Sequence, residues 1–389
     1  MKICVLSSGV PHAVPRTLAF SGIFNDVCFV DVSGKADAEK LRLAGIKYYG
    51  PADFRLSLLN LQQLLHEIQP DLIICHFCSG PHFFGAIAYG SCPVAGIVMG
   101  SDVLYERCDT RVPGLSRLLI RMGLRRMAYI SAKSPYLERQ CRDLGVKSPI
   151  AVNYWGADTQ QFTPGDQMAA RRSIGLPADR SIVLSPRTLS PLYNIDAIIA
   201  AISIVVGKIP DVLLVMIGRE APDYRSRIDN QVRNAGLTDK VKFIGEVEFN
   251  QIADYYNASD VVVSMARTEG FPNSVLEVMC CRRPLIIGRI AQIEETIEDD
   301  RECRMVEIDA ACIAESIVEI ISQPDLADRL AANAFEKSRE IADIDRNGQV
   351  FAVDVMRFIP QHQKRSVLSL WLYRLTFILH SILRKLFRQ

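Results

Sequence analysis

The sequence predicts two α/β domains, each built on a doubly wound parallel sheet. Short apolar runs alternate with helix-like stretches in both halves, and near-continuous apolar strands are typical of parallel sheets covered on both faces. A chain of 389 residues also exceeds what one typical core holds. A more polar region with Gly and Pro lies between the halves, and we predict that this linker covers residues 153–180.

The first half, residues 1–165, is predicted to be the N-terminal domain. Its predicted strands are Lys2–Leu6, Val27–Val32, Leu72–Cys75, Val94–Val98 and Tyr129–Ser131. Its predicted helices include Leu58–Ile68 and Ser134–Leu144.

The second half repeats the pattern and predicts a C-terminal domain over residues 166–345. Its predicted strands are Ile182–Leu184, Leu213–Ile217, Val241–Ile244, Val261–Met265, Leu285–Ile287 and Met305–Ile308. Its predicted helices are Ile195–Val206, Arg225–Ala235, Gln251–Asn257, one around Ile293, Ala311–Ile321 and Leu326–Glu340. Doubly wound sheets bind ligands at the carboxyl ends of their strands, so we expect a site there, in the cleft between the domains.

Composition and charge indicate a globular protein that is not a general nucleic-acid binder. Hydrophobic residues make up 49% and charged residues 23% of the chain, and the formal net charge is +1. Eleven cysteines cannot all pair within one chain, which favours a reducing, cytoplasmic location. Cys75 and Cys78 form a lone C-x-x-C, open to a metal or redox role or to simple burial.

One stretch, VVSMARTEGFPNSVLEVMCCRRPLIIG, combines a strand, a loop, a helix start and a second strand. Glu269 lies in the loop, and Glu277 lies one to two turns inside the helix. The first helical amides carry partial positive charge, so this helix start suits a phosphate or diphosphate. Pro272 fits just before the helix, with Asn273 or Ser274 as the cap. The alternative is an ordinary strand, loop and helix with surface glutamates.

Several segments of the chain resemble a known family. The second half contains SPRTLSPLYNIDAIIAA, VMIGRE, VKFIGEVEFNQIADYYNASDVVV and the E-x7-E unit TEGFPNSVLEVMCCRRPLII, and the first half contains PDLIICH, MGSD, ISAKSPYL and VNYWGADTQQFTP. Together they resemble the family 4 retaining glycosyltransferases. The resemblance implies the GT-B architecture, in which two Rossmann-like domains face each other across a cleft.

The resemblance implies a role for individual residues. Glu269 matches the glutamate that lies against the donor sugar, and Glu277 matches the one that binds the nucleotide ribose. Arg187 aligns with the arginine that neutralises the diphosphate. The remaining donor-site positions are the segment of Phe271, Pro272, Asn273, Ser274 and Val275, which matches the part that offers amides to the donor phosphates, the base-binding Gly245, Glu246 and Val247, and the downstream Glu295.

The resemblance also implies the chemistry. A leaving nucleoside diphosphate gains negative charge, which a fixed guanidinium and oriented amides stabilise, so no metal or other cofactor is expected. Retention in the family is explained by same-face attack, in which a donor phosphate oxygen takes the acceptor proton. Glu269 would then organise the reacting centre.

Three positions depart from the family pattern. Tyr193 falls near the usual lysine, so one phosphate contact is absent or comes from Arg219 or Arg267. Met99 stands where the first domain usually has a histidine, and the usual glycine pair after the first strand is reduced to Gly9.

The acceptor side has fewer signals. His12, His76 and His82 fall near strand ends, where each is either an acceptor contact or a packed or solvated histidine. Asp102 is expected to cap a helix or to bind a sugar hydroxyl. The residues carried as acceptor candidates are Gly9, His12 and Asp102.

The last predicted segments are a helix over residues 346–360, which we expect to return to the first domain, and a tail over residues 361–389. The tail has six Lys or Arg and no Asp or Glu. At 100° per residue, one side is apolar: Leu368, Leu372, Leu375, Ile378, Leu379, Ile382 and Leu386. The other side is polar: Ser366, Arg374, His380, Ser381, Arg384, Lys385 and Arg388.

This pattern predicts a helix in a membrane interface, with Trp371 and Tyr373 near the headgroups. The alternative is a helix packed on the protein or on a partner. Arg117, Arg121 and Arg125 share one face of another predicted helix, which either leans toward anionic lipid or is solvated.

The sequence therefore predicts a cytoplasmic glycosyltransferase, peripheral on the inner face of the membrane. It would move a sugar from a nucleotide-sugar donor to a glycan or lipid-linked acceptor. The alternatives are a nucleotide-sugar epimerase or hydrolase of the same fold, and a GT-B binding or scaffold protein without catalysis, which Tyr193 and Met99 motivate.

Overall fold

The computed structural model describes residues 1–8, 12–51, 58–104, 114–359 and 367–386. Its described strands, in chain order, are β1 (Lys2–Ser7), β2 (Asp26–Asp31), β3 (Lys47–Tyr49), β4 (Leu72–His76), β5 (Val94–Val98), β6 (Tyr129–Ala132), β7 (Ile150–Val152), β8 (Ile182–Ser185), β9 (Leu213–Ile217), β10 (Val241–Gly245), β11 (Val261–Ser264), β12 (Leu285–Gly288) and β13 (Arg304–Val306).

The described helices alternate with these strands. They are α1 (Ala13–Ser21), α2 (Ala38–Leu43), α3 (Leu58–Ile68), α4 (Gly80–Tyr89), α5 (Gly114–Leu124), α6 (Pro135–Asp143), α7 (Gln167–Ser173), α8 (Ile195–Val205), α9 (Pro222–Asn234), α10 (Ile252–Ala258), α11 (Asn273–Cys280), α12 (Ala291–Glu294), α13 (Ala310–Ser322), α14 (Pro324–Ile341), α15 (Ile344–Phe358) and α16 (Val367–Leu386). Short 3₁₀ helices at Pro191–Tyr193 and Phe249–Gln251 precede α8 and α10.

The chain forms two units, each with its own parallel sheet. Unit 1 comprises Met1–Trp155 and Ile344–Gln389, and unit 2 comprises Gly156–Asp343. Among the described strands, the order in unit 1 is β3-β2-β1-β4-β5-β6-β7, and the order in unit 2 is β10-β9-β8-β11-β12-β13. All of these neighbours pair in parallel. The prediction of two Rossmann-like, doubly wound sheets is therefore confirmed.

The core of unit 1 needs a helix from the far end of the chain. Phe351 of α15 is fully buried, and its ring lies 4.8 Å from Trp155 and 5.3 Å from Phe20 between centroids. The Tyr129 hydroxyl donates to Asp354 Oδ2 at 3.0 Å. Residues from the end of the chain thus complete the packing around β1, β4 and β6.

The region predicted as the linker contains a helix. Asp166 Oδ1 accepts from Ala169 N at 2.6 Å and caps α7, which Gly175 follows in the left-handed region. Arg171 is buried, pairs with Asp260 Oδ2 at 2.7 Å and donates to Ala258 O at 2.9 Å. Residues 166–173 are therefore packed structure of unit 2, because a capped helix there is anchored by a buried arginine.

The tail helix α16 packs on unit 1, which corrects part of the tail prediction. Tyr373, placed at the headgroups by the sequence pattern, is fully buried, and Phe377 is nearly so. Arg374 and His380, placed on a solvated side, hydrogen-bond to α4 and α5 residues. Helix packing thus uses the side with Tyr373 and Phe377, while Leu372, Leu375, Ile378 and Leu379 are exposed. The remaining tail residues 361–366 and 387–389 lie outside the described part of the chain.

The cysteines in the described part of the chain form no disulfide. Its ten cysteines are unpaired, and Cys75 and Cys78 are fully buried, with the pKa of both thiols raised by burial. They are therefore packed thiols rather than reactive ones.

Among the described helices, none has both the length and the apolarity needed to cross a bilayer.

Candidate functional site

The strand order of unit 2 reverses between β8 and β11. From β8 the chain builds outward through β9 and β10, and from β11 it builds the other way through β12 and β13. Ligands of doubly wound sheets bind at such a switch point, outside the carboxyl ends of the strands. Arg187 follows β8 and Glu269 follows β11, so the topology brings both to this edge.

Arg187 is the centre of this site. Its Nη2 forms an ion pair with Glu269 Oε1, and its Nη1 donates to Ser274 Oγ at 2.6 Å. Its Cζ lies 4.1 Å from the centroid of the Tyr193 ring. Burial acts to lower the pKa of this guanidinium, but the Glu269 carboxylate together with Tyr193 and Tyr256 outweighs burial, so the pKa is raised. Arg187 is therefore a fixed positive charge in a largely buried place.

The loops that carry these residues are linked to one another by side-chain hydrogen bonds and a close backbone contact. Asn194 is buried with φ 45°, and its Nδ2 donates to Met265 O at 2.8 Å. Its Oδ1 accepts from Arg267 Nε at 2.9 Å. Gly218, with φ 130°, lies so close to Arg187 that a Cβ there would come within 3.1 Å of the Arg187 backbone. The loops after β8, β9 and β11 thus hold Arg187 in position.

Glu277 lies at the fifth position of α11 and is nearly buried. The Tyr256 hydroxyl, from α10, donates to its Oε2 at 2.8 Å. Burial, and next the Glu277 charge, raise the pKa of Tyr256 well above its ordinary value, so the phenol stays a donor. A carboxylate oriented in this way inside an apolar helix suits hydroxyl groups of a ligand.

The start of α11 differs from the predicted cap. Pro272 occupies the cap position, no side chain caps the helix, and α11 begins at Asn273. Ser274 Oγ instead accepts a hydrogen bond from Arg187 Nη1, and Asn273 Nδ2 donates to Gly156 O at 3.4 Å. The prediction that Asn273 or Ser274 caps the helix was therefore wrong, because both side chains have longer-range partners.

The first turn of α11 is well packed. Phe271 is fully buried, and the Val275 amide donates to Pro272 O at 3.2 Å. The Val275 amide is therefore hydrogen-bonded within the helix start. Among the predicted amides, those of Asn273 and Ser274 are the better candidates for binding a phosphate.

The other predicted donor-site residues lie further out. Gly245 ends β10 with φ 86°, and Val247 follows two residues later. Glu246 is exposed and pairs with Arg219 Nε at 3.1 Å. Glu295 is exposed directly after α12. The structure brings Arg187 into direct contact with Glu269 and Ser274.

Unit 1 has its own switch point, between β1 and β4. His76 ends β4, is fully buried, and neither of its ring nitrogens has a hydrogen-bond partner within the described residues. His82 Nε2 lies 3.0 Å from His76 O and 2.9 Å from Phe77 O. Burial lowers the pKa of both rings, so both are neutral.

The remaining acceptor-side residues have mixed positions. His12 directly precedes α1 and is partly exposed, whereas Gly9 lies outside the described residues. Met99 Sδ accepts from Arg16 Nη1 at 2.7 Å, and the Arg16 guanidinium lies 5.5 Å from the centroid of the Trp155 ring. Met99 thus has a structural contact in place of the family's histidine.

Asp102 joins two loops of unit 1. Its carboxylate is buried and accepts from Cys78 N at 2.9 Å, Gly100 N at 2.8 Å and Met99 N at 3.0 Å. Burial raises its pKa, while these amides act in the opposite direction. The bonds go to loop amides after β4 and β5 rather than to a helix start in the described part of the chain.

The basic helix face also has a structural use. Arg121 Nε and Arg125 Nε both donate to Leu144 O, at 3.4 and 2.7 Å, just after α6. Two of these three arginines therefore bind a helix end of unit 1.

Sequence reasoning missed some residues that shape the site. Tyr256 lies in the segment ADYYNASD, which was noted without a role for its tyrosines. Asn194 was assigned no role from the sequence, although an Asn in a loop directly before a helix is a known signal for left-handed backbone. Among the described residues, no cluster of three or more His, Cys, Asp or Glu could hold a metal ion.

Both units match glycosyltransferase families. Residues 166–337 match the family described as Glycosyl transferases group 1, and residues 27–134 match the one described as Glycosyl transferase 4-like.

Curated relatives match part of the chain. A D-inositol 3-phosphate glycosyltransferase 2 of Catenulispora acidiphila is 27% identical over 161 residues, 39% of this chain and 37% of the relative. A D-inositol 3-phosphate glycosyltransferase of Geodermatophilus obscurus is 28% identical over 200 residues, 48% of this chain and 44% of the relative. The chain thus spans less than half the length of these relatives.

Solved structures resemble nearly the whole chain. The structure of Anabaena HepE in complex with UDP has a TM-score of 0.75 at 20% identity, covering 92% of this chain and 100% of that one. Sucrose-phosphate synthase from Thermosynechococcus elongatus has a TM-score of 0.75 at 18% identity, covering 93% and 100%. These likenesses support the GT-B fold.

Proposed function

We propose that this chain, whose two units match glycosyltransferase families, transfers a sugar from a nucleotide-sugar donor to an acceptor with retention of configuration. The observation that carries the proposal is the contact of Arg187 with Glu269 and Ser274 at the switch point of unit 2. A buried cation at the start of a helix is suited to a diphosphate. The Anabaena structure named for its UDP complex shares this fold.

In this proposal Arg187 neutralises the donor diphosphate as the glycosidic bond breaks. The developing charge is on the leaving phosphate, so a guanidinium already held in place stabilises the transition state more than the ground state. A guanidinium has five N–H donors, so Arg187 can keep Glu269 and Ser274 while it binds phosphate oxygens. The amides of Asn273 and Ser274 would add to this charge.

The glutamates would have different roles. Glu277, oriented by Tyr256, would accept hydrogen bonds from the ribose hydroxyls. Glu269 is tied to Arg187, which lowers its reactivity as a nucleophile and suits an organising role beside the donor sugar. The same pairing favours same-face attack over a covalent intermediate. The segment Gly245–Val247 and Glu295 would contact the base and the outer part of the donor.

We propose that no divalent metal takes part, because the guanidinium and the helix amides supply the charge that a metal would. The acceptor, a glycan or a lipid-linked glycan, would bind unit 1, where His12 and Asp102 lie near strand ends. Asp102 already holds three amides, so we propose that it shapes the acceptor loops rather than binding a sugar.

The test is a nucleotide-release assay of the full chain against a panel of nucleotide-sugars, with and without glycan and lipid extracts. Acceptor-dependent release that is unchanged by EDTA supports metal-free transfer. Release without any acceptor supports the hydrolase or epimerase alternative, and binding without turnover supports the scaffold.

The variant Arg187→Gln ties the activity to the site. It should lower kcat by roughly a hundredfold or more, as the loss of one charge-stabilising group does in other enzymes. Arg329→Gln is the matched control, because Arg329 is an exposed arginine of α14 in the same unit, paired with Asp300 Oδ1 at 2.9 Å and outside the proposed donor site. Equal activity of both variants would contradict the assigned role of Arg187.

A further inference from the structure

The helix α16 exposes one apolar face. Five large side chains are each between 46% and 58% exposed, Trp371, Leu372, Leu375, Ile378 and Leu379. Their spacing of one, three and four residues places them along one side of the helix over about two turns. We call these five residues the outer face.

The opposite side of α16 is seated firmly on unit 1. Tyr373 and Phe377 are buried, and the Phe377 ring lies 5.7 Å from that of Phe84 in α4. Leu370 fits against Gly90 so closely that a Cβ at Gly90 would come within 2.5 Å of it. The outer face is therefore what remains exposed after the helix has been packed.

Three polar side chains among residues 371–380 are hydrogen-bonded within the protein, whereas the buried Tyr373 hydroxyl has no hydrogen-bond partner among the described residues. Arg374 donates to Ala88 O at 2.8 Å and to Tyr89 O at 2.9 Å, at the C-terminal end of α4, where a cation is favoured. His380 Nε2 lies 2.8 Å from Ser116 Oγ in α5. The Thr376 hydroxyl donates to Leu372 O within α16. Arg374, Thr376 and His380 thus have hydrogen-bond partners in the protein itself.

The surrounding sequence is basic. The helices α4, α5 and α16 contain no Asp or Glu, and residues 361–389 contain six Lys or Arg. A second copy of this chain would bring the same positive charge to the contact. A surface of anionic lipid instead complements both the charge and the apolar residues.

We propose that the outer face of α16 docks on a bilayer surface that contains anionic lipid, with the helix lying along the membrane and unit 1 behind it. Trp371 would sit at the headgroup level, where its amphipathic ring is favoured. This inference does not depend on the proposed transferase activity, since it uses none of the residues of the donor site.

The experiment is co-sedimentation of the full chain with phosphatidylcholine vesicles, with and without about 30% phosphatidylglycerol. We expect binding to the anionic vesicles that weakens at high salt. The double variant Leu375→Ser and Leu379→Ser should lower this partition at least tenfold, and so should Leu372→Ser with Ile378→Ser.

The matched control is Val350→Ser with Val353→Ser on α15. These two residues are 50% and 55% exposed in the same unit but lie on a different helix. Their loss should change partition by less than about twofold, and circular dichroism should show each variant folded. Equal loss in both pairs would overturn the proposal.

Light scattering without lipid tests the competing occupant. A dimer that Leu375→Ser with Leu379→Ser converts to monomer, together with no binding to anionic vesicles, would overturn the membrane proposal in favour of a second copy. Vesicle binding that is unaffected by these variants would also overturn it.

Discussion

A single tyrosine shows how one residue decides the orientation of another. Glu277 is nearly buried, and the Tyr256 hydroxyl donates to its Oε2 at 2.8 Å. Without that donor, a buried carboxylate loses an interaction that fixes its rotamer and part of its solvation. Spacing in the sequence identified Glu277, but it could not identify a partner that comes from a different helix.

The variant Tyr256→Phe should therefore weaken donor binding. We expect KM for the donor to rise about tenfold with a smaller effect on kcat, and the free energy of unfolding to fall by about 1–2 kcal/mol. Tyr255→Phe is the control, because Tyr255 is a buried neighbour on the same helix. Steady-state kinetics and urea denaturation measure both effects, and an unchanged KM would contradict the ribose role of Glu277.

A buried histidine makes the folding stability of unit 1 depend on pH. His76 is fully buried, and burial, with Arg16 next, lowers its pKa below the ordinary 6.5. Below about pH 6.5 the unfolded chain takes up a proton that the folded chain does not, so stability falls as the solution is acidified. This loss continues until the pH reaches the lowered pKa of the folded state.

Replacing His76 by Leu should flatten that dependence. The slope of unfolding free energy between pH 6.5 and 5.5 should decrease by about 1 kcal/mol per pH unit. His66→Leu is the control, since solvent already reaches its ring in the folded chain. Urea midpoints at several pH values measure the slope, and equal slopes in both variants would show that His76 does not titrate on unfolding.

At the scale of elements, the sequence predicted those with a long periodic signal. The helix Leu58–Ile68 and the strands Leu213–Ile217 and Val94–Val98 were predicted with the observed bounds. The short strands β3 and β7 were not identified, because each has three residues and lies at a sheet edge, where half-exposed residues give no continuous apolar run. Helix α7 was assigned to the linker because its apolar side is short and its anchor is an arginine.

The contacts of the site could be predicted less well than its elements. Strand order and loops bring Arg187 to Glu269, and parallel-sheet topology made that neighbourhood foreseeable. The hydrogen bond of Arg187 to Ser274 was not, because it depends on how the loop after β11 enters α11. Loop geometry of this kind follows from several distant contacts at once.

The side chain of Asn194 links the loops after β8 and β11, and its loss should affect both stability and binding. Asn194→Gly keeps the left-handed backbone but loses both side-chain bonds, to Met265 O and to Arg267. We expect unfolding free energy to fall by about 1–2 kcal/mol and affinity for a nucleoside diphosphate to fall about tenfold.

The variant Asn194→Ala serves as the comparison. Asn194→Ala should lower the free energy of unfolding by about 1 kcal/mol more than Asn194→Gly does, because a Cβ is strained at positive φ. Calorimetric titration and urea denaturation measure both quantities. Wild-type affinity in Asn194→Gly would show that the loops after β8 and β11 are positioned without this residue.

At the scale of the whole molecule, the two units differ in continuity. Unit 2 is one uninterrupted stretch, whereas unit 1 is built from two stretches that are separated by it. Residues 1–155 alone lack α15, whose Phe351 fills the space beside Phe20 and Trp155. An exposed apolar core of this size prevents stable folding.

Residues 156–343 should therefore fold alone, and residues 1–155 should not. The first fragment has its own sheet and core, and it contains Arg187, Glu269, Ser274, Tyr256 and Glu277. If these residues form the donor site, the fragment should bind a nucleoside diphosphate within about tenfold of the full chain. Cooperative thermal unfolding followed by circular dichroism tests folding, and calorimetric titration tests binding. A folded fragment without affinity would place essential donor contacts outside unit 2, because folding and binding are measured separately in it.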